Sequence, residues 1–185
     1  MDSYRVREAF PQVEDIDDAD LRETVVQMWE DALEASDYGD MYDLPWWPPY
    51  HERMPESSQV SHGRDVIDLV ISIAETLEER HDDIEIDRDE LLAAAVLHDV
   101  SKTYETSDGE LTGFQDLMPH PHYGAHLAAK AGLSLEIQHA IIAHGNGSSI
   151  EPETVEAMIV DAADRISANS IFWRYEGNLK PPEYR

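Results

Sequence analysis

The chain has 185 residues, 40 of them acidic and 13 basic, for a formal charge of −27 at pH 7, and it has no cysteine. The length suits one domain with a short appendage, and the missing thiols exclude disulfides, zinc–thiolate centres, iron–sulfur clusters and cysteine nucleophiles. So acidic a surface repels nucleic acid and anionic membranes, which are bound through basic patches, so neither is an expected partner.

Apolar residues make up 42% of the chain, enough for a sizeable core. The longest apolar run, Leu91 to Leu97, is seven residues, far short of the roughly 20 that a membrane-spanning helix needs. The first twenty residues lack both a basic start and an apolar stretch, so no secretory signal is visible and the cytoplasm is the expected location. The negative charge runs through the whole sequence. Its self-repulsion is screened at about 3 Å in 1 M salt, and the composition resembles that of proteins from halophilic microbes. An ordinary acidic protein with a basic partner is the alternative.

In chain order, a helix is expected over 19–36, capped by Asp18 or Asp20, with Leu21, Val25, Trp29 and Leu33 at helical spacing. Pro45-Trp46-Trp47-Pro48-Pro49-Tyr50 cannot be helical. It reads as a rigid apolar strap over the helices or as the lid or wall of a pocket. A second helix is expected from about Ser58 to Arg80, with the stripe Val66, Leu69, Val70, Ile73 and Leu77. A third runs from Asp87, its cap, to about Ser101; being apolar nearly all round over 91–97, it is the buried central helix. Residues 103–118 read as a loop, a fourth helix as Pro121 to Gly132, and a fifth as Ser134 to His144, stopped by Gly145-Asn146-Gly147. Pro152 opens a sixth that carries Val155, Met158, Ile159, Ala162, Ile166 and Ile171 into the 170s, and Pro181-Pro182 in the tail ends it. The expected fold is an all-α bundle of about six helices. Residues 1–55 form an N-terminal helix and strap, 56–175 the helical domain, and 176–185 a tail.

Nine histidines are many for this length, and their placing is informative. His98-Asp99 closes the buried third helix, where both side chains are costly unless paired or bound to a cation. Adjacent helical side chains diverge by about 100°, so other helices must contribute. His62, His120, His144 and Asp164 sit on those helices, the way a bundle builds a metal site from inward-facing side chains.

The blocks His62-Gly63-Arg64-Asp65, His98-Asp99-Val100-Ser101-Lys102, His120-Pro121-His122-Tyr123-Gly124, Ile142-Ala143-His144 and Ala163-Asp164-Arg165 together resemble the HD-domain superfamily of metal-dependent phosphohydrolases. The resemblance spans about 58–170, and the HDxxK of 98–102 is its specific part. It implies core metal ligands at His62, His98, Asp99 and Asp164, with Asp99 bridging two metals. His120 and His144 match the two extra histidines of the dimetal form, implying a second ion. His120 is preferred over His122 and His126 because Gly124 follows it by four residues, as in the family. Asp161, one turn before Asp164, is the competing carboxylate. Lys102 matches the family's phosphate-facing lysine, and Arg64 and Arg165 are further candidates for binding substrate.

Imidazole and carboxylate donors suit Mn, Fe, Ni, Zn or Co as divalent ions, one or two per chain. The implied activity is hydrolysis of a phosphoester of a small molecule, a nucleotide before others, through a metal-activated hydroxide. Two alternatives remain open. The same six ligands serve di-iron oxygenases of the superfamily, and a non-catalytic nucleotide-binding regulatory module is the third reading. The sequence leaves the native metal, the substrate and a homo-oligomer open.

Overall fold

The computed structural model describes residues 4–108, 110–145 and 148–180, less the side chains of 4 and 49–51. The Asn146-Gly147 stop and the Pro181-Pro182 stop expected for the sixth helix lie outside these. Among the described residues the chain forms eight α-helices and one two-stranded hairpin, Thr106–Ser107 with Glu110–Leu111.

The expected helices are present, and local chemistry explains their ends. Helix α1 is Tyr4–Ala9, which the sequence reading did not anticipate, and α2 is Ala19–Glu34. Asp18, rather than Asp20, caps α2 by accepting from the amides of Asp20 and Leu21. Helix α3, Gln59–Arg80, begins with a reciprocal capping box between Ser58 and Ser61. Helix α4, Arg88–Leu97, is capped by Asp87, and every residue from Leu91 to Leu97 is buried. Helix α4 stops at Leu97, short of the expected Ser101, and a 3-10 turn, Val100–Tyr104, follows. Helix α5 is the short Phe114–Leu117, α6 is His120–Lys130, and α7 is Leu135–Ala143 with Ser134 as cap. Helix α8, Val155–Glu176, is capped by Thr154 rather than opened at Pro152, and it ends on Gly177 in the left-handed region.

Helix α4 lies centrally and packs against α2, α3, α7 and α8, while α6 packs on α7 and α3 on α8. The N-terminal segment shares this core. Val6, Phe10, Trp29 and Leu33 belong to the same buried cluster as Leu91 to Leu97 and Ile141, and Trp29 Nε1 donates to Val96 O over 2.9 Å. The fit is close at Gly63, where a Cβ would stand 2.8 Å from Phe10 Cε1. The expected stripe on α8 needs correction. Met158 and Ile166 are about half exposed, at 49% and 47%. Ile159 and Ile171 are buried as expected, and Val160, Ala163 and Ser167 share the inward face with them, because α8 must meet both α3 and α7.

Candidate metal centre

Histidine and carboxylate side chains from separate elements meet at the inner end of α4. His62 comes from α3, His98 and Asp99 from the turn that ends α4, His120 from the start of α6, His144 from just past α7, and Asp164 from α8. The break after Leu97 matters here. Asp99 leaves helical geometry at φ −107 and ψ 10, so the adjacent pair converges, with His98 Nε2 3.4 Å from Asp99 Oδ2. The divergence expected of a continuous helix does not apply.

The two oxygens of Asp99 divide the cluster. Oδ2 lies 3.5 Å from His62 Nε2 and 3.4 Å from His98 Nε2. Oδ1 lies 3.4 Å from His120 Nε2 and 3.6 Å from His144 Nε2. Each trio, His62–His98–Asp99 and Asp99–His120–His144, brings its donor atoms close enough to hold one metal ion. Asp164 Oδ1 joins at 3.1 Å from His62 Nε2. Its competitor Asp161 is occupied elsewhere, accepting from Gly145 N and from Arg165 Nε.

The far ring nitrogens are held. Nδ1 of His98 donates to Ala95 O over 2.7 Å and Nδ1 of His144 to Ile141 O over 2.6 Å. His62 Nδ1 lies 2.9 Å from Ser167 Oγ. His120 Nδ1 is 3.6 Å from Glu105 Oε1. Such outer partners fix ring orientation and leave Nε2 as a lone-pair donor. Asp99 Oδ1 and His144 Nε2 are both buried without a hydrogen-bond partner. Two electron-rich atoms orphaned side by side fit a shared cation better than any protein contact.

Electrostatics follow from burial and crowding. Burial lowers His62 to about 4, against the pull of Asp164 and Asp99, so the ring is neutral at neutral pH. Burial likewise lowers His120. At His98 burial also acts downward, but the Asp99 charge and hydrogen bond outweigh it and the group is raised. Burial works to raise Asp99, yet the charges of Lys102 and His98 hold it well below the usual carboxylate range. Asp164 is lowered in the same way against its burial, chiefly through its hydrogen bond and charge contact with His62.

Lys102 donates to Asp99 Oδ2 over 2.8 Å, and Gln59 Nε2 donates to the same oxygen over 2.9 Å. Arg64 and Arg165, the other candidates for binding substrate, are held by protein partners. Arg64 donates to the carbonyls of Glu8 and Ala9, which the end of α1 leaves without helical partners. Arg165 is 53% exposed and grips both oxygens of Asp161. Neither lines the cavity over the cluster. Of the other histidines, His126 stacks on Tyr123, and His139 accepts from Glu153 N.

The sequence reading missed Gln59, Ser167 and Glu105. Gln59 stands three residues before His62 on α3 and Ser167 three after Asp164 on α8, so helical spacing was a signal for both. Glu105 carried none. The Trp46 ring packs 5.2 Å from that of His62 and 6.1 Å from Phe172. Trp46 and its neighbours therefore form both a packed strap and a pocket wall.

A helical bundle that gathers histidines and carboxylates around one buried aspartate is the architecture of a metal-dependent hydrolase. Residues 60–169 match the HD domain family, and the chain belongs to it: a superfamily of metal-dependent phosphohydrolases whose domains bind divalent metals. The chain is similar to Ribonuclease Y of Desulforudis audaxviator, 48% identical over 86 residues that cover 45% of this chain and 15% of that protein. It is similar as well to Ribonuclease Y of Syntrophomonas wolfei, 34% identical over 111 residues, or 60% of this chain and 20% of that protein. The match therefore spans a fifth or less of these relatives' length. No solved structure matches at a significant level.

Proposed function

We propose that the chain is a phosphohydrolase that cleaves the phosphoester of a small molecule, a nucleotide, at a two-ion centre formed by His62, His98, Asp99, His120, His144 and Asp164. The observation that carries this reading is the division of Asp99, one oxygen toward each histidine pair. Manganese, iron, nickel, zinc or cobalt suits these donors. When bound, two such ions would supply a water-derived nucleophile at neutral pH and draw charge from the phosphoryl oxygens. Asp99 then fixes the spacing of the two halves. Lys102, already 2.8 Å from Asp99, turns its ammonium to the phosphoryl group as charge builds there. His62 and His98, buried, exclude water from the inner face.

The relatives bear the name of a ribonuclease. A charge of −27 weighs against a polyanionic substrate for this chain, which favours a small phosphoester. Metal analysis of protein purified in high salt without chelator, followed by a panel of nucleotides, sugar phosphates and a short RNA, tests the reading. Near two ions per chain with nucleotide turnover supports it. Two irons with oxygen consumption and no phosphate release replaces it with the oxygenase, and no metal after reloading replaces it with a binding module.

A further inference from the structure

A cavity of about 330 Å³ opens over the cluster, and its lining includes Lys102, His120 and Lys180. That volume lies at the low end of the range of about 300–1,000 Å³ typical of small-ligand sites. The chain has three lysines against 40 acidic residues, and two of the three line this cavity. The third, Lys130, is exposed at the end of α6. Lys180 lies beyond residues 60–169, the stretch that matches the family.

The strap around Trp46 and Trp47 brings the two lysines to one place. It is pinned to the start of α3, where Gln59 N donates to Leu44 O over 2.9 Å. Its rings pack on α8, with Trp46 6.1 Å and Trp47 5.3 Å from the Phe172 ring. Each tryptophan then carries one ammonium. Lys102 Nζ lies 5.9 Å from the centre of the Trp46 ring, and Lys180 Nζ lies 4.6 Å from that of Trp47, both within the reach of about 6 Å over which a ring attracts a cation. The Lys180 backbone is tied to α8 as well, its N donating to Asn169 Oδ1 over 3.1 Å.

Lys102 already shares its charge with Asp99 over 2.8 Å. Glu105, the acidic residue of the lining, turns to His120 and accepts from its backbone N over 3.1 Å. Lys180 therefore brings a second positive charge to the cavity, partly buried and so less screened than a surface cation. A phosphomonoester carries a charge of about −1.5 to −2 at pH 7, whereas a diester carries a single charge. A second ammonium gains more from the first than from the second.

We propose that Lys180, held against Trp47, joins Lys102 in binding a terminal phosphate dianion, so that the site selects phosphomonoesters over phosphodiesters with Lys180 as the specificity-determining residue. The selection deepens the phosphohydrolase reading and rests on it for the chemistry at the cluster.

The test uses the metal-loaded full chain in molar salt. Its probes are p-nitrophenyl phosphate, bis(p-nitrophenyl) phosphate and inorganic phosphate, the first two sharing one leaving group. The monoester exceeds the diester in kcat/KM by about tenfold or more, the scale of one hydrogen bond to a charged group. Lys180→Met, which keeps a stem against Trp47, and Lys180→Gln each raise KM for the monoester about tenfold with kcat held, and move the diester far less. Both weaken inorganic phosphate by the same factor in a calorimetric titration. Lys180→Arg, which stays charged, restores both readouts, and Lys130→Met changes neither. Equal turnover of the two esters by the wild type overturns the selection. So does wild-type phosphate affinity in both neutral variants, or a loss that Lys180→Arg does not restore. Phosphate binding governed by Lys180 in a chain that hydrolyses no phosphoester overturns the hydrolase and leaves the anion site standing. Turnover and phosphate binding that both ignore Lys180 leave the hydrolase and overturn this role.

Discussion

Ser167 Oγ lies 2.9 Å from His62 Nδ1, behind the ring that faces Asp99 and Asp164. The contact joins α8 to α3 and sets the tilt of a fully buried imidazole. Removing such an outer partner typically lowers metal affinity about 10–100-fold. Ser167→Ala should therefore weaken binding of the ion next to His62 by that factor, read by competition with a metal chelator, with the helical circular dichroism unchanged.

Asp99 touches both halves of the cluster, whereas His120 touches one. Asp99→Ala should lose both ions and lower phosphoester turnover by about a thousandfold or more. His120→Ala should lose one ion and retain the other. Elemental analysis of the two variants side by side separates these outcomes, and full activity in Asp99→Ala would falsify the site assignment.

Burial lowers Lys180 from its usual 10.5 to about 8, with Asp164 and Asp99 acting to raise it and Lys102 and Arg165 to lower it. Below about 8 the ammonium is charged and attracts a phosphate; above it the charge is lost. KM for a nucleoside monophosphate should therefore rise between about pH 7 and 9, by up to tenfold or so, the scale of a charged hydrogen bond. Lys180→Arg, which stays charged throughout, should flatten the rise.

Trp29 ties α2 to the central helix through Val96 O. Trp29→Phe keeps an aromatic ring but leaves that carbonyl unpaired and the space underfilled. The expected loss is about 1–3 kcal/mol in a denaturant titration at fixed salt, with metal content unchanged.

A charge of −27 on 185 residues predicts stability that grows with ionic strength as self-repulsion is screened. Each kcal/mol so recovered raises Tm by about 2–4 °C for a chain of this size. Tm measured by circular dichroism from 0.15 to 2 M sodium chloride should climb steadily. A flat profile would leave the acidic surface without this role.

The helices were legible because periodicity and caps agree locally: Asp87 before 91–97 and Ser134 before α7. The histidines and aspartates of the cluster were legible through their ordered blocks. The partners of Arg64 and Arg165 were not legible, because a sequence shows that a cation is near a motif, not which carbonyl or carboxylate holds it. Once α1 ends at Ala9, its bare carbonyls draw Arg64 away.

By itself, then, the sequence determined the all-α class and the buried central helix, and it singled out the histidines and aspartates that gather at the end of α4, since these rest on short-range patterns and on residue chemistry. Only the tertiary structure decided which oxygen of Asp99 meets which histidines, and that the strap, residues between 102 and 120, and Lys180 wall one cavity. Those facts join residues distant in the chain, Asp99 and His144 by 45 positions and Trp46 and Lys180 by 134, and close packing around α4 brings them together.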